Sequence, residues 1–402
     1  MTGELEMNGE TMSGSTRAAR SIKRGVGLSH CLFMVISFLS LAALPSMAVP
    51  ASVKAPRFLA DARGLHTPNG WMLGEITAVA VDAHDNVWVL HRPHTIPAVD
   101  QARAAPPVLA FDRHGKFLRA FGGPGDGYDW PTVEHSIAVD GRGRVWIAGN
   151  FRTPGQPGDD MVLTFSGDGQ FLRQIGRRGA STGDADTKDV HAPGDLYVDD
   201  AARELYVADG YVNRRVIVFD SESGAFRRMW GAYGTDPPAS PAPLPRADGD
   251  PFVQGKGEEP SHFDGVHGVR LSRDHLVYVS DRNNQRIQVF TRRGEYLRQV
   301  FVDRNMPSGT TASGIAFSPD LGQRYLYVAD FGNARVVVLE RATLRLVKTI
   351  GHFGAGPGEF RGPHLLATDS HGTLYVAEVQ GRRVQRLVPV NGRAPITDKV
   401  AE

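Results

Sequence analysis

The stretch "GVHGVRLSRDHLVYVSDRNNQRIQVF", residues 265–290, decides the fold. Val269 and Leu271 alternate with polar neighbours, "SRDH" supplies a turn, and "LVYVS" resumes the alternation. A second turn around Asn283 and Asn284 leads into a third run, "RIQVF". Period-two patterning broken by turn residues is the mark of short antiparallel strands. The stretch opens on an imidazole, His267, where a small or apolar residue would pack more simply.

The same unit recurs along the chain. "AVAVDAHDNVWVLHR" (78–92), "SIAVDGRGRVWIAGN" (136–150) and "DLYVDDAARELYVADG" (195–210) precede it. "GIAFSPDLGQRYLYVAD" (314–330) and "LLATDSHGTLYVAE" (365–378) follow. Third strands such as "RRVIVFD" and "ARVVVLE", and fourth strands such as "FLRQIG" and "LVKTIG", complete most copies. Six units of about 40 to 60 residues predict an all-β, six-bladed β-propeller, each blade a four-stranded antiparallel sheet. The sixth copy stops after its third strand, "RVQRLV" (383–388), so the ring needs a strand from elsewhere. The N-terminal "PRFLADA" (56–62) is the candidate, and this closure removes the exposed edge. The recurring "D…N.R(I/V).VF" pattern resembles the NHL repeat class.

The first 48 residues form a separate segment. Arg17, Arg20, Lys23 and Arg24 precede the apolar run "CLFMVISFLSLAAL" (31–44), and the small-residue site "PSMA" ends at Ala48. This is the order of a secretory signal peptide, and the run is shorter than the roughly 20 apolar residues of a membrane span. The expectation is export to the periplasm or exterior, with membrane anchoring as the alternative if the segment stays uncleaved. The expected organisation is a signal peptide over 1–48, a segment with the ring-closing strand over 49–75, the propeller over 76–390 and a tail over 391–402. Cleavage would remove Cys31, the one cysteine, and with it any disulfide. It would also remove four basic and three acidic residues from totals of 45 and 44, leaving 41 of each. Such a neutral chain carries no electrostatic case for nucleic acid or an anionic membrane as partner. A monomer acting on a small molecule or peptide is expected.

Aligning the inner strands on one offset puts Thr77, His135, Gly194, His267, Ser313 and His364 at equivalent positions. Histidine falls in the second, fourth and sixth copies, a pseudo-threefold set in a six-bladed ring. The chain has 14 histidines, and others, such as His84, His114 and His371, sit in tight turns where a loop hydrogen bond suffices. Three converging imidazoles with an open position form a catalytic zinc arrangement, although imidazole also suits copper, iron and nickel. In an up-and-down blade the loop after the second strand lies on the face where the first strand starts. Arg92, Tyr211 and Arg282 therefore share the histidines' face. The third copy is one residue longer at that loop, and the Pro-rich segment 236–251 should rim the same mouth. Asp209, Asp281 and Asp330 recur with the repeat and are expected to bind loops.

At these residues the chain resembles the peptidyl-α-hydroxyglycine α-amidating lyase family. The resemblance spans about residues 76–388 and rests on "HR" (His91, Arg92), "HSIAVDGRGRVWIAG", "DGYVNRRVIVF", "VHGVRLS…VSDRNNQRIQVF" and "GPHLLATDSHGTLYVAE". It implies a six-bladed propeller holding zinc through His135, His267 and His364, with Tyr211 as base, Arg92 supporting it and Arg282 holding the substrate carboxylate. It implies cleavage of a C-terminal α-hydroxyglycine compound to an amide and glyoxylate. A tyrosine base works where a neighbouring cation favours its ionised form. The family carries an aspartate tied to calcium directly after the third histidine; here that place is Leu365, so no calcium is expected there. The family's disulfides are also missing, Val212 following Tyr211. The alternatives are another zinc-dependent propeller enzyme, or an exported NHL propeller that binds protein or glycan without catalysis.

Overall fold

The computed structural model describes residues 55–61, 64–68, 70–237, 260–306 and 310–390. The expected signal peptide, nearly all of the Pro-rich segment and the expected tail lie outside the described residues. The chain is an all-β six-bladed propeller of six four-stranded antiparallel sheets. Blade 4 shows the plan, with its inner strand at Val266–Leu271, then Leu276–Asp281, Arg286–Thr291 and an outer strand at Tyr296–Phe301. The other inner strands are Glu75–Val81, Glu134–Val139, Asp195–Asp199, Ile315–Phe317 and Pro363–Thr368. Blade 6 takes its outer strand from the N-terminal side: Phe58 pairs with Pro389, Leu59 with Val388 and Ala60 with Leu387. Closure is thus the one expected from "PRFLADA", over its central residues.

Local chemistry explains the hairpins. The Asp82 carboxylate accepts the backbone N–H groups of His84 and Asn86, both at 2.9 Å. Asp140 does the same for Arg142 and Arg144. Both turns then need a left-handed residue, met by Asp85 at φ 61° and Gly143 at φ 76°. Such Asx-type turns are the reason Asp and Gly recur between strands. The other Asp82 and Asp140 oxygens accept the indole N–H of Trp88 and Trp146, each at 3.0 Å, tying every turn to its own second strand.

The recurring Asp and Arg hold the approach to each inner strand. Arg286 pairs with Asp281 at 2.6 Å, both side chains fully buried. Its remaining donors go to the Pro260 and His262 carbonyls, while Asp281 accepts the Asp264 N–H. That arrangement pins residues 260–264, which lead straight to His267. In blade 3, Arg215 and Asp209 pair at 2.8 Å and bind Asp184, Asp189 and His191 ahead of Gly194. Arg335 with Asp330, and Arg383 with Glu378, repeat the pairing. A buried pair that lost one partner would leave an uncompensated charge, so these residues are structural, as the repeat implied.

His91 is the penultimate residue of the second strand of blade 1, Val87–Arg92, and is fully buried. Its Nδ1 accepts the Gly74 N–H at 3.0 Å, and its Nε2 donates to the Pro106 carbonyl at 3.1 Å. Both partners suit only the neutral ring, and burial lowers its pKa from 6.5 to about 4. The unfolded chain therefore takes up a proton near pH 6.5 that the folded chain refuses until about pH 4. Stability is present above that window and is lost as pH falls through it. Between pH 7 and 5 the contribution is about 2 kcal/mol. Urea unfolding of wild type and His91→Gln at both pH values should show the wild-type advantage shrinking by that amount at pH 5.

Candidate metal centre

A register irregularity marks the start of four inner strands. Glu134 pairs with Gly149 and Ser136 with Ala148, so His135 is the extra residue. His267 stands between the Val266–Asp281 and Gly268–Ser280 pairs in the same way. His364 lies in the corresponding shift between Pro363 and Leu366, and Thr77 in that of blade 1. A β-bulge kinks the strand and re-aims a side chain. Here it turns three imidazoles onto the propeller axis.

The three rings are buried and nearly equidistant, with centroids 4.6 to 5.2 Å apart. One ligand atom from each lies within 4.8 Å of the others. His135 Nδ1 donates to the Gly194 carbonyl at 2.9 Å and His364 Nδ1 to the Thr77 carbonyl at 2.6 Å. The Ser313 backbone takes the same place beside His267, although that Nδ1 closes no hydrogen bond of good geometry. A carbonyl can only accept, so Nδ1 of His135 and of His364 carries the proton and their Nε2 atoms present bare lone pairs. His267 Nε2 lies 3.0 Å from that of His364. The Tyr211 hydroxyl lies 2.8 Å from His135 Nε2 and 3.0 Å from His267 Nε2, and its single proton can serve only one. A set with more lone pairs than protons is the chemistry of a metal site, and carbonyl-fixed tautomers are its usual outer support.

Electrostatics agree with that state. Burial first, then neighbouring histidines and the Arg92 and Arg282 charges, hold His135 well below its ordinary value. Burial dominates for His267, followed by His364 and Arg282. Burial lowers His364 to about 3 even against its bond to the Thr77 carbonyl. All three rings are neutral at pH 7, the form that binds metal.

The other expected residues surround the centre unequally. Arg282 approaches the Tyr211 hydroxyl at 3.3 Å, and its buried Nε has no hydrogen-bond partner among the described residues. Arg92 lines the same cavity, but its donors go to Glu75 at 2.9 Å, the Glu134 carbonyl at 2.9 Å and Asn150 at 3.3 Å. Arg152 stacks over the Tyr211 ring, 4.3 Å from its centroid. Phe331 sits under Arg282. Sequence reasoning passed over Arg152 and Phe331, although both follow second strands as Arg92, Tyr211 and Arg282 do. The rule that found three of these positions would have found five. The cavity holds about 680 Å³, and no Asp or Glu lines it among the described residues. Leu365, beside His364, is buried in an apolar cluster with Leu90 and Ile137 and offers no ligand oxygen from its side chain.

Comparison with known proteins places this arrangement in company. Residues 263–290 match the NHL repeat family. The chain is 27% identical to mouse (Mus musculus) NHL repeat-containing protein 3 over 347 residues, 81% of this chain and 82% of that one. It is 24% identical to peptidyl-alpha-hydroxyglycine alpha-amidating lyase 1 of Drosophila melanogaster over 354 residues, 80% of this chain and 58% of the lyase. A Bacteroides thetaiotaomicron protein of unknown function shares the fold, with a TM-score of 0.53 at 13% identity over 84% of this chain and 77% of that one. The chain is thus a six-bladed propeller with an NHL repeat, distantly related to amidating lyases, and its three buried histidines can hold a metal ion.

Gly194 tests the support of the centre. A Cβ there would meet the Val266 carbonyl oxygen at 2.8 Å and the His267 Cα at 2.9 Å. Gly194→Ala should push the His267 backbone outward and disturb the carbonyl that serves His135. Affinity for Zn²⁺, titrated against a competing chelator, should fall about tenfold or more, while circular dichroism retains the β spectrum.

Proposed function

We propose that this chain is a zinc-dependent lyase that breaks the N–C bond of C-terminal α-hydroxyglycine compounds, yielding an amide and glyoxylate. One observation carries the reading: the Tyr211 hydroxyl is wedged between two Nε2 atoms of a three-histidine centre, beside an Arg282 free of any carboxylate among the described residues. The named relationship to an amidating lyase supports it.

His135, His267 and His364 would hold the zinc through Nε2. Zinc supplies a Lewis acid that favours negative charge on the substrate hydroxyl oxygen. The remaining work falls to the protein's own side chains. Arg282, which has no carboxylate partner among the described residues, meets the substrate carboxylate, a charge-assisted contact that orients the reacting carbon. Tyr211, acting in its ionised form, takes the hydroxyl proton on its oxygen. As the C–O bond becomes a carbonyl, the C–N bond breaks and its electron pair stays on nitrogen, which takes the proton from Tyr211. Atoms balance without water or a redox partner. The neutral imidazoles do not compete for that proton at pH 7, because burial keeps them unprotonated. The open mouth leaves room for the acyl part, peptide or smaller. The proposed setting is the periplasm or exterior, with the chain acting as a monomer.

A second reading, the same metal centre with a different small substrate, is favoured by Leu365 and by the higher identity to NHL repeat-containing protein 3. One experiment separates them. Purified chain should contain about one zinc per molecule, the count of a single three-histidine site, and release glyoxylate from α-hydroxyhippurate. His267→Ala should lose both metal and activity. Tyr211→Phe should keep zinc and lose at least about a hundredfold in kcat. Wild-type turnover in Tyr211→Phe would remove the base assignment, and zinc without glyoxylate would favour the second reading.

A further inference from the structure

The charge inventory of the cavity asks for more than one carboxylate on the ligand. Among the described residues three arginines line it and no acidic side chain does. Arg92 is already matched by Glu75 at 2.9 Å. Arg152 and Arg282 form no ion pair among the described residues. Arg152 donates to its neighbour's carbonyl, Asn150 O, at 3.0 Å and otherwise lies on the Tyr211 ring. The two guanidinium groups approach different ends of one tyrosine: Arg282 the hydroxyl, near the histidines, and Arg152 the ring face, toward the mouth. Both also line the smaller adjoining cavity of about 180 Å³ beside His267, again without an acidic residue among the described ones.

A single carboxylate held by Arg282 next to the metal centre cannot also neutralise a guanidinium that lies over the ring face and opens to solvent. Arg152 is exposed, so an anion can reach it without displacing protein. Its planar fork, braced on one face by Tyr211, offers the bidentate geometry that suits a carboxylate. From this arrangement we propose that Arg152 is a specificity residue for a second carboxylate, carried on the acyl side of the substrate. The preferred substrates are acidic acyl-α-hydroxyglycines: dianions in which Arg282 takes the glycine carboxylate and Arg152 the acyl one. The assignment of the two ends rests on the lyase reading; the need for two anionic groups rests on the arginines.

The test is calorimetric titration of the purified full chain at pH 7 with two unreactive probes, N-acetylglycine and N-succinylglycine. They share the glycine carboxylate and differ in the acyl one. N-succinylglycine should bind about tenfold more tightly, about 1.4 kcal/mol. Arg152→Gln should bring it to the affinity of N-acetylglycine and leave N-acetylglycine unchanged within about twofold, and Arg152→Lys should restore part of the preference. Arg282→Gln should weaken both probes. Equal affinities in wild type, no binding of either probe, or an equal loss of both in Arg152→Gln would overturn the proposal. Glyoxylate release from the α-hydroxylated forms of the same two compounds is measured separately. A persisting binding preference without glyoxylate would refute the lyase reading and leave the two-carboxylate preference standing.

Discussion

The contact between neighbouring inner strands at the propeller axis governs everything built there. A Cβ on Gly194 would strike the blade 4 backbone, one on Gly268 would lie 2.9 Å from the Ser313 carbonyl oxygen, and one on Gly314 would lie 2.4 Å from that of His364. Only small residues allow such an approach. It brings the carbonyls of Thr77, Gly194 and Ser313, from the odd blades, against the Nδ1 sides of the histidines in the blades before them. Each histidine alternates with a blade that supplies a carbonyl acceptor, and the threefold set follows from that alternation. The bulges supply direction and the close approach supplies the tautomer.

The same geometry sets the centre at odds with stability. Three imidazoles and a phenol are buried with too few protons for their acceptors, and an unmet buried polar atom costs about 1–3 kcal/mol. The scaffold offsets this elsewhere. Buried Asp–Arg pairs at the starts of third strands hold the segments that lead to Gly194 and His267, and they are fully satisfied by backbone carbonyls and N–H groups. These Asp–Arg pairs are complete in themselves, whereas the polar groups of the three-histidine centre are incomplete without a ligand. That difference distinguishes a structural network from a functional one.

The strands, the blade count, the closing strand and the axial offset of the three histidines were legible because each leaves a periodic trace. Tyr211 and Arg282 were legible because loop position follows from blade topology. Arg152 follows its second strand as they do and is open to the same rule, although its loop, "NFRTPGQPGDD", lacks the Asp–Asn–Arg pattern that marks the equivalent turn in other blades. The contacts of Arg92 were not legible. Its partners Glu75, Glu134 and Asn150 come from blades 1 and 2, and no local spacing reports a side chain that bridges two blades. His91 misleads in the same way: next to Arg92 it suggests the site, yet its ring is satisfied inside blade 1 by Gly74 and Pro106.

Below the histidines the channel is closed by charge as well as by packing. Asp195, one residue after Gly194, is fully buried, and burial pushes its carboxyl up while Arg270 opposes that. The Arg270 guanidinium lies on Asp195 and on the Val269 carbonyl. The positive charge that a buried axial carboxylate requires is therefore part of the chain. The far mouth, a cavity of about 320 Å³, follows the same rule: Arg273 donates to the Pro319 and Asp320 carbonyls, and Asp369 supplies negative charge. Arginines line both ends of the channel, and at the histidine end the buried Nε of Arg282 has no hydrogen-bond partner among the described residues. A channel open at two faces thus attracts an anion at one, and that face is the one where the lone pairs of three imidazoles wait for a cation.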